Sequence, residues 1–161
     1  MRDEGESREI SIGGVVCHFH WCRRGEPLMI EGFWIQKFPI THGIWKFVMR
    51  EQPQREDILQ ARQPVRNVSW NECRQFIAEL NRTAILADVG LAEYHFVLPT
   101  EAQWEYAHDN GFLDIGDALE WCFDIDEETG YPVVRGDGIR NVRTPIGYDN
   151  VGFRLVIVPR R

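Results

Sequence analysis

The sequence predicts an α+β domain with a small, mostly antiparallel sheet and two to three helices, and three observations predict it. Amphipathic helical stripes are few and short. β-favouring runs lie between them without the regular alternation of βαβ units. The 161 residues suffice for one sizeable core and not for two, so a single domain over 1–161 is expected. Hydrophobic residues make up 43% of the chain and charged residues 27%, a balance that belongs to folded rather than disordered proteins.

Taken in order, Ile10 to Trp21 and Phe33 to Phe38 are rich in β-branched and aromatic residues and read as strands. Thr41 opens a helix carrying Ile44, Trp45 and Val48. The charged, proline-punctuated stretch from Arg50 to Pro64 reads as a surface loop with one helical turn. In "NVSWNECRQFIAELN", Ser69 and Glu72 form a capping box, and Cys73, Phe76, Ile77 and Leu80 follow at spacings that share one face. "LPTEAQWEYAHDNG" repeats the device with Thr100 and Gln103, turns Trp104 and Ala107 inward, and stops at Gly111. Tyr94 to Leu98, Val133 to Val134 and Val151 to Val158 are the remaining strands. Trp34, Trp45, Trp70, Trp104 and Trp121 fall one per segment and read as core anchors, the alternative being that one or two stack on a ligand.

The net charge of -7 excludes a phosphate-backbone ligand, which needs a basic stripe that this chain lacks; a protein or small-molecule partner is expected. No apolar run is long enough to span a bilayer and the first residues are acidic and polar, so the expected location is cytoplasmic. Cys17, Cys22, Cys73 and Cys122 then read as reduced thiols, with a Cys17–Cys22 pair only in an oxidising compartment. Serine and cysteine nucleophiles are not supported: Ser69 caps a helix, no Gly-x-Ser-x-Gly elbow is present, and Cys73 faces inward.

The blocks "FWIQKFPITHGIWKFVM", "PVRNVSWNECRQFIAELN", "FVLPTEAQWEYA", "GFLDIGDALEWC" and "VVRG" followed by "NVGFRLV" resemble, in order, the formylglycine-generating enzyme family of sulfatase-modifying factor domains. The resemblance runs from Phe33 to Val158 and implies a variant of the C-type lectin fold. It also implies what is missing. Catalytic members hold copper with two thiolates between an Arg-Gly-Gly-Ser stretch and the final Gly-Phe-Arg, a soft-ligand site suited to Cu(I). Here the matching segment reads Arg135, Gly136, Asp137, Gly138, Ile139, and no cysteine follows Cys122. A segment that helps to wall the family's cleft, after the Trp104 helix, is also absent. No copper is expected, and the reading is a shortened, non-catalytic binding module with a protein partner, or a subunit of a larger complex. The alternatives are a copper oxidase using Cys122 or Cys73, an iron-dependent relative joining sulfur to carbon, and a diversified receptor of a retroelement system.

Three residue groups are candidate sites. The family's metal-binding Gly-Asn matches Gly116 and Asp117, so the resemblance implies calcium at Asp117, with Asp124 and the acidic residues Asp126, Glu127 and Glu128 offering further oxygens; a solvated acidic loop is the other reading. In "CHFHWC", a strand places His18, His20 and Cys22 on one face, a zinc arrangement whose alternative is a half-buried strand with ordinary histidines. Among Arg135, Arg140, Arg143 and Arg154, the last is expected to pair with a buried Glu105 or Glu120 and pin the final strand, while Arg140 and Arg143 divide between partner contact and solvation. The expected ligand face lies in C-terminal loops over 124–150, with Tyr131, Arg140, Arg143, Tyr148, Asp149 and Asn150 as its contact residues.

Overall fold

The computed structural model describes residues 2–23, 31–52, 60–146 and 149–161. In chain order the elements are β1 (Ser7–Ile12), β2 (Val15–Cys22), β3 (Phe33–Gln36), α1 (His42–Met49), α2 (Trp70–Asn81), α3 (Ile85–Asp88), β4 (Tyr94–Val97), α4 (Glu101–Asp109), β5 (Leu119–Ile125), β6 (Pro132–Gly136), β7 (Ile139–Val142), β8 (Val151–Gly152) and β9 (Val156–Pro159). The strands form a five-stranded sheet of order β1-β2-β3-β9-β4 and a four-stranded sheet of order β7-β6-β5-β8. All pairings are antiparallel except β5 with β8.

Local chemistry explains most boundaries. Ser69 accepts from the Glu72 N–H while the Glu72 carboxylate accepts from the Ser69 N–H, and Thr100 with Gln103 does the same, so both capping boxes are formed. Thr41 caps α1 through the Ile44 N–H. The run expected as one strand from Ile10 to Trp21 is a hairpin. Gly13 and Gly14 both take positive φ, 61° and 77°, as a type I′ turn requires. The run from Val151 to Val158 is likewise divided, because Phe153, Arg154 and Leu155 leave one sheet and enter the other. The helix α3 was not foreseen; it is four residues long and has no side-chain cap, so little in the sequence marks it.

Alternation within the strands places two apolar layers on either side of the first sheet. Phe19, Trp34, Phe96 and Ile157 face the main core, which also takes Ile44 and Trp45 of α1 and Cys73, Phe76 and Leu80 of α2. Their neighbours Cys22, Phe33, Ile35 and Val156 face the opposite way, against Ala107 of α4. The second sheet repeats the pattern: Trp121 and Val134 point into the main core, and Cys122 and Val133 lie under Trp104. All five tryptophans named above are buried, in agreement with their reading as core anchors. Trp70 donates to the Cys122 carbonyl at 3.0 Å, Trp121 to the Val68 carbonyl at 2.8 Å and Trp104 to Glu120 at 3.2 Å, so they tie α2, the preceding loop and α4 to β5.

The two sheets are joined by Arg154. Its guanidinium, fully buried, uses all five N–H groups: Nε and one Nη2 proton on the Glu120 carboxylate, Nη1 on the carbonyls of Gln36 (3.1 Å) and Lys37 (2.7 Å), and the other Nη2 proton on the Asp114 carbonyl (2.9 Å). Glu120 rather than Glu105 is therefore the partner, and the expected pin of the last strand is present.

Candidate functional site

The thiols come first, because the family chemistry depends on them. Cys17 and Cys73 are enclosed in the main core, Cys22 lies between the first sheet and α4, and Cys122 lies under Trp104. All four are free and buried. Burial pushes the Cys17 thiol up to about 12, and burial reinforced by Glu4, Glu72 and Asp124 pushes Cys22, Cys73 and Cys122 well above the usual thiol range. Enclosed in apolar surroundings, these thiols lack the electropositive, partly exposed setting of reactive cysteines. The residues present do not fit a copper thiolate pair: the segment after Arg135 carries Gly136, Asp137 and Gly138, and Cys73 and Cys122 sit in different clusters.

The histidine group has the predicted strand alternation but other partners. His18 pairs with Glu9 at 3.6 Å and lies edge-on to Phe38. His20 stacks on Phe112 and contacts the Ser7 hydroxyl and the Gly5 carbonyl. Cys22 is fully buried. The two calcium candidates lie at opposite ends of β5. Asp117 is paired with Arg66, which holds its carboxyl below the usual carboxylate range. Asp124 accepts from the first N–H of α4, that of Glu101, at 2.6 Å, where the helix dipole favours an anion. Among the described residues no group of three or more His, Cys, Asp or Glu side chains gathers as a metal set.

The residues expected to form the ligand face divide into two places. One is a knot. Asn150, in the left-handed conformation at φ 56°, accepts from Arg66 at 3.3 Å, donates to the Asp117 carbonyl at 3.2 Å, and gives its N–H to Asn67 at 2.9 Å. It fastens the C-terminal loop to the 66–67 turn. Asp149 beside it is exposed, and Tyr148 lies outside the described residues.

The other place is the outer part of the second sheet. Within the segment expected as loops over 124–150, β6 and β7 form a hairpin whose Arg135 and Arg140 stand opposite each other. Glu101 lies between these like charges, at 3.0 Å from Arg135 and 2.6 Å from Arg140, and Asp126 adds a contact to Arg140 at 3.5 Å. Arg135 also covers the Trp104 ring. Arg140 is thus neither free nor merely solvated. Arg143 donates its backbone N–H to the Pro132 carbonyl, and its Nε is buried without a partner among the described residues.

Beside this charged cluster, Tyr131, one of the expected contact residues, is 42% exposed, and three exposed apolar side chains that the sequence reading missed lie on the same strands: Phe123 is 54% exposed, Ile125 46% and Ile139 48%. The pairing of β5 with β6 shifts register between Trp121 and Ile125, so that Trp121 stays in the main core while Phe123 and Ile125 are left exposed, and the Asp126–Tyr131 backbone bond sets Tyr131 beside the end of that strand. In the "WCFDI" run Trp121, Phe123 and Ile125 fall at every second position, the pattern of one apolar face, so spacing alone does not separate the buried Trp121 from the exposed pair. Exposed apolar side chains gathered on one face mark interaction surfaces more often than scattered ones do.

Comparison with known proteins agrees with this architecture. A search of curated proteins finds no match. Among solved structures, Treponema denticola variable protein 1 is similar with a TM-score of 0.71 at 17% identity, over 95% of this chain and 99% of that one. The crystal structure of CarF is similar with a TM-score of 0.58 at 14% identity, over 98% and 97% of the two chains. At these identities the likeness is one of fold. Residues 23–133 match the sulfatase-modifying factor enzyme 1-like domain, and because the match takes in well over half of the chain, this protein belongs to that family.

Proposed function

We propose that this chain is a non-catalytic binding module of the sulfatase-modifying factor fold, which recognises a protein partner through the outer part of its second sheet. The observation that carries the reading is the cluster of exposed Phe123, Ile125 and Tyr131 beside the Glu101–Arg140–Asp126 network. An apolar centre with an ordered charged rim is the usual anatomy of a protein interface. The burial of all four thiols, with Cys73 and Cys122 in different clusters, supports a reading without copper chemistry.

The test is co-purification from the native source with wild-type chain and with Ile125→Asp. A partner recovered in fixed stoichiometry with the wild type and lost with Ile125→Asp is the expected result. Oxygen uptake on a cysteine-containing peptide with added copper is the opposing measurement; turnover abolished by Cys122→Ser would make the chain an oxidase. A narrower reading, a receptor whose loop before Gly152 varies among copies, takes its support from the fold likeness to a protein named as variable. Sequencing sister copies of the gene tests it, since variation would then concentrate in residues 143–150.

A further inference from the structure

A groove of about 830 Å³ lies on the first sheet, away from the second-sheet face, with Val16, Phe38, Pro39 and Pro64 among its walls. Its volume is within the range of ligand-binding clefts. Val16 and Phe38 are large apolar residues left 51% and 42% exposed.

One wall of this groove is an open strand edge. In β2 the Trp21 N–H and C=O bond toward the β1 side, to Glu6 and Gly5, so the even-numbered residues direct their backbone groups toward β3. His20 finds Ile35 there, and the His18 carbonyl accepts from the Lys37 N–H at 2.8 Å. Pairing then stops. The Lys37 carbonyl is taken by Arg154 and by the Asp114 N–H, and the chain turns away through Phe38 and Pro39. Among the described residues the backbone N–H and C=O of Val16 have no partner on this side. Continuing the register would set Pro39, which has no N–H, opposite Val16.

The groove carries two charges. Arg62 is exposed and has no ion-pair partner among the described residues, and it stands beside the first turn of α1, where the Ala61 carbonyl accepts from Gly43. Asp114, exposed and likewise without an ion-pair partner among the described residues, lines the groove where its backbone N–H donates to the Lys37 carbonyl at 2.9 Å.

We propose that this groove binds an extended peptide segment of another protein, which adds a strand to β2 at Val16. Its apolar side chain packs against Phe38 and Pro64, an acidic residue meets Arg62, and a basic residue meets Asp114. Main-chain bonds to Val16 supply the alignment, and the two opposite charges set the direction of the segment.

The experiment is selection of short random peptides displayed on phage against the whole chain. Selected peptides are expected to alternate an apolar residue with an acidic and a basic one. A synthetic copy of the best is expected to slow hydrogen exchange at the Val16 amide by about tenfold or more, while leaving Tyr131 unaffected. Val16→Pro removes the N–H and abolishes binding. Because that variant risks the hairpin, Arg62→Glu, an exposed change, serves as the second: it is expected to weaken the selected peptide by about tenfold and to turn a fresh selection toward a basic residue at that position. No enrichment, protection confined to the second-sheet face, or unchanged charge preference with Arg62→Glu would each overturn the proposal.

Discussion

Substituting Glu120 by Gln keeps the shape of the side chain and removes one charge from the fully buried pair with Arg154. The guanidinium then remains among the Gln36, Lys37 and Asp114 carbonyls with no anion to offset its desolvation. Removing one partner from such a pair costs about 3–5 kcal/mol. Arg154→Met is costlier, since it leaves Glu120 as an unpaired buried carboxylate and also orphans the Asp114 carbonyl, which adds about 1–3 kcal/mol. Against a total stability of about 5–15 kcal/mol, the second variant is at the edge of folding and the first is measurable. Urea unfolding followed by tryptophan fluorescence should show the Glu120→Gln midpoint falling with an unchanged slope. The double substitution should cost less than the sum of the two singles, by about 1–3 kcal/mol. A Glu120→Gln protein within 1 kcal/mol of wild type would mean that water or backbone movement compensates the guanidinium and that the pair does not join the sheets.

The four buried thiols should react with a thiol reagent only on unfolding, and a fast-reacting cysteine in the native protein would contradict the packing described. At Gly152 an added Cβ would lie 2.4 Å from the Val65 carbonyl oxygen, so Gly152→Ala should lower stability by about 1–3 kcal/mol; a thermal midpoint equal to wild type would show that β8 is free to move. His95 has its pKa lowered by burial and by Arg160, and its Nδ1 has no partner among the described residues. The unfolded chain then binds the proton first, so stability should fall as pH drops below about 6.5. His95→Leu should flatten that part of the stability profile, and an unchanged profile would remove His95 as its source.

Elements defined by contacts within a few residues were legible before the fold was known. The capping boxes at Ser69 and Thr100 and the stripe of Cys73, Phe76 and Leu80 depend on neighbours three or four positions away, so sequence spacing determined them. The strand character of β5 was obscured by its acidic residues: Asp124 reads as loop but is placed at the start of α4, where a helix N-terminus neutralises it.

The candidate site was less legible for the same reason. Arg140 and Tyr131 were named as contact residues, yet the exposure of Phe123 and Ile125 follows only from the irregular pairing of β5 beyond Trp121, which the main core buries. The sequence by itself determined the family, the three longer helices α1, α2 and α4, the buried tryptophans and the need for an acidic partner to Arg154. Only the tertiary structure decided that the partner is Glu120, that the thiols are sequestered apart, and that Val16 keeps an open edge. Each of these rests on groups brought together from far along the chain, as Arg154 reaches the carbonyls of Gln36 and Lys37, and local spacing carries no record of such meetings.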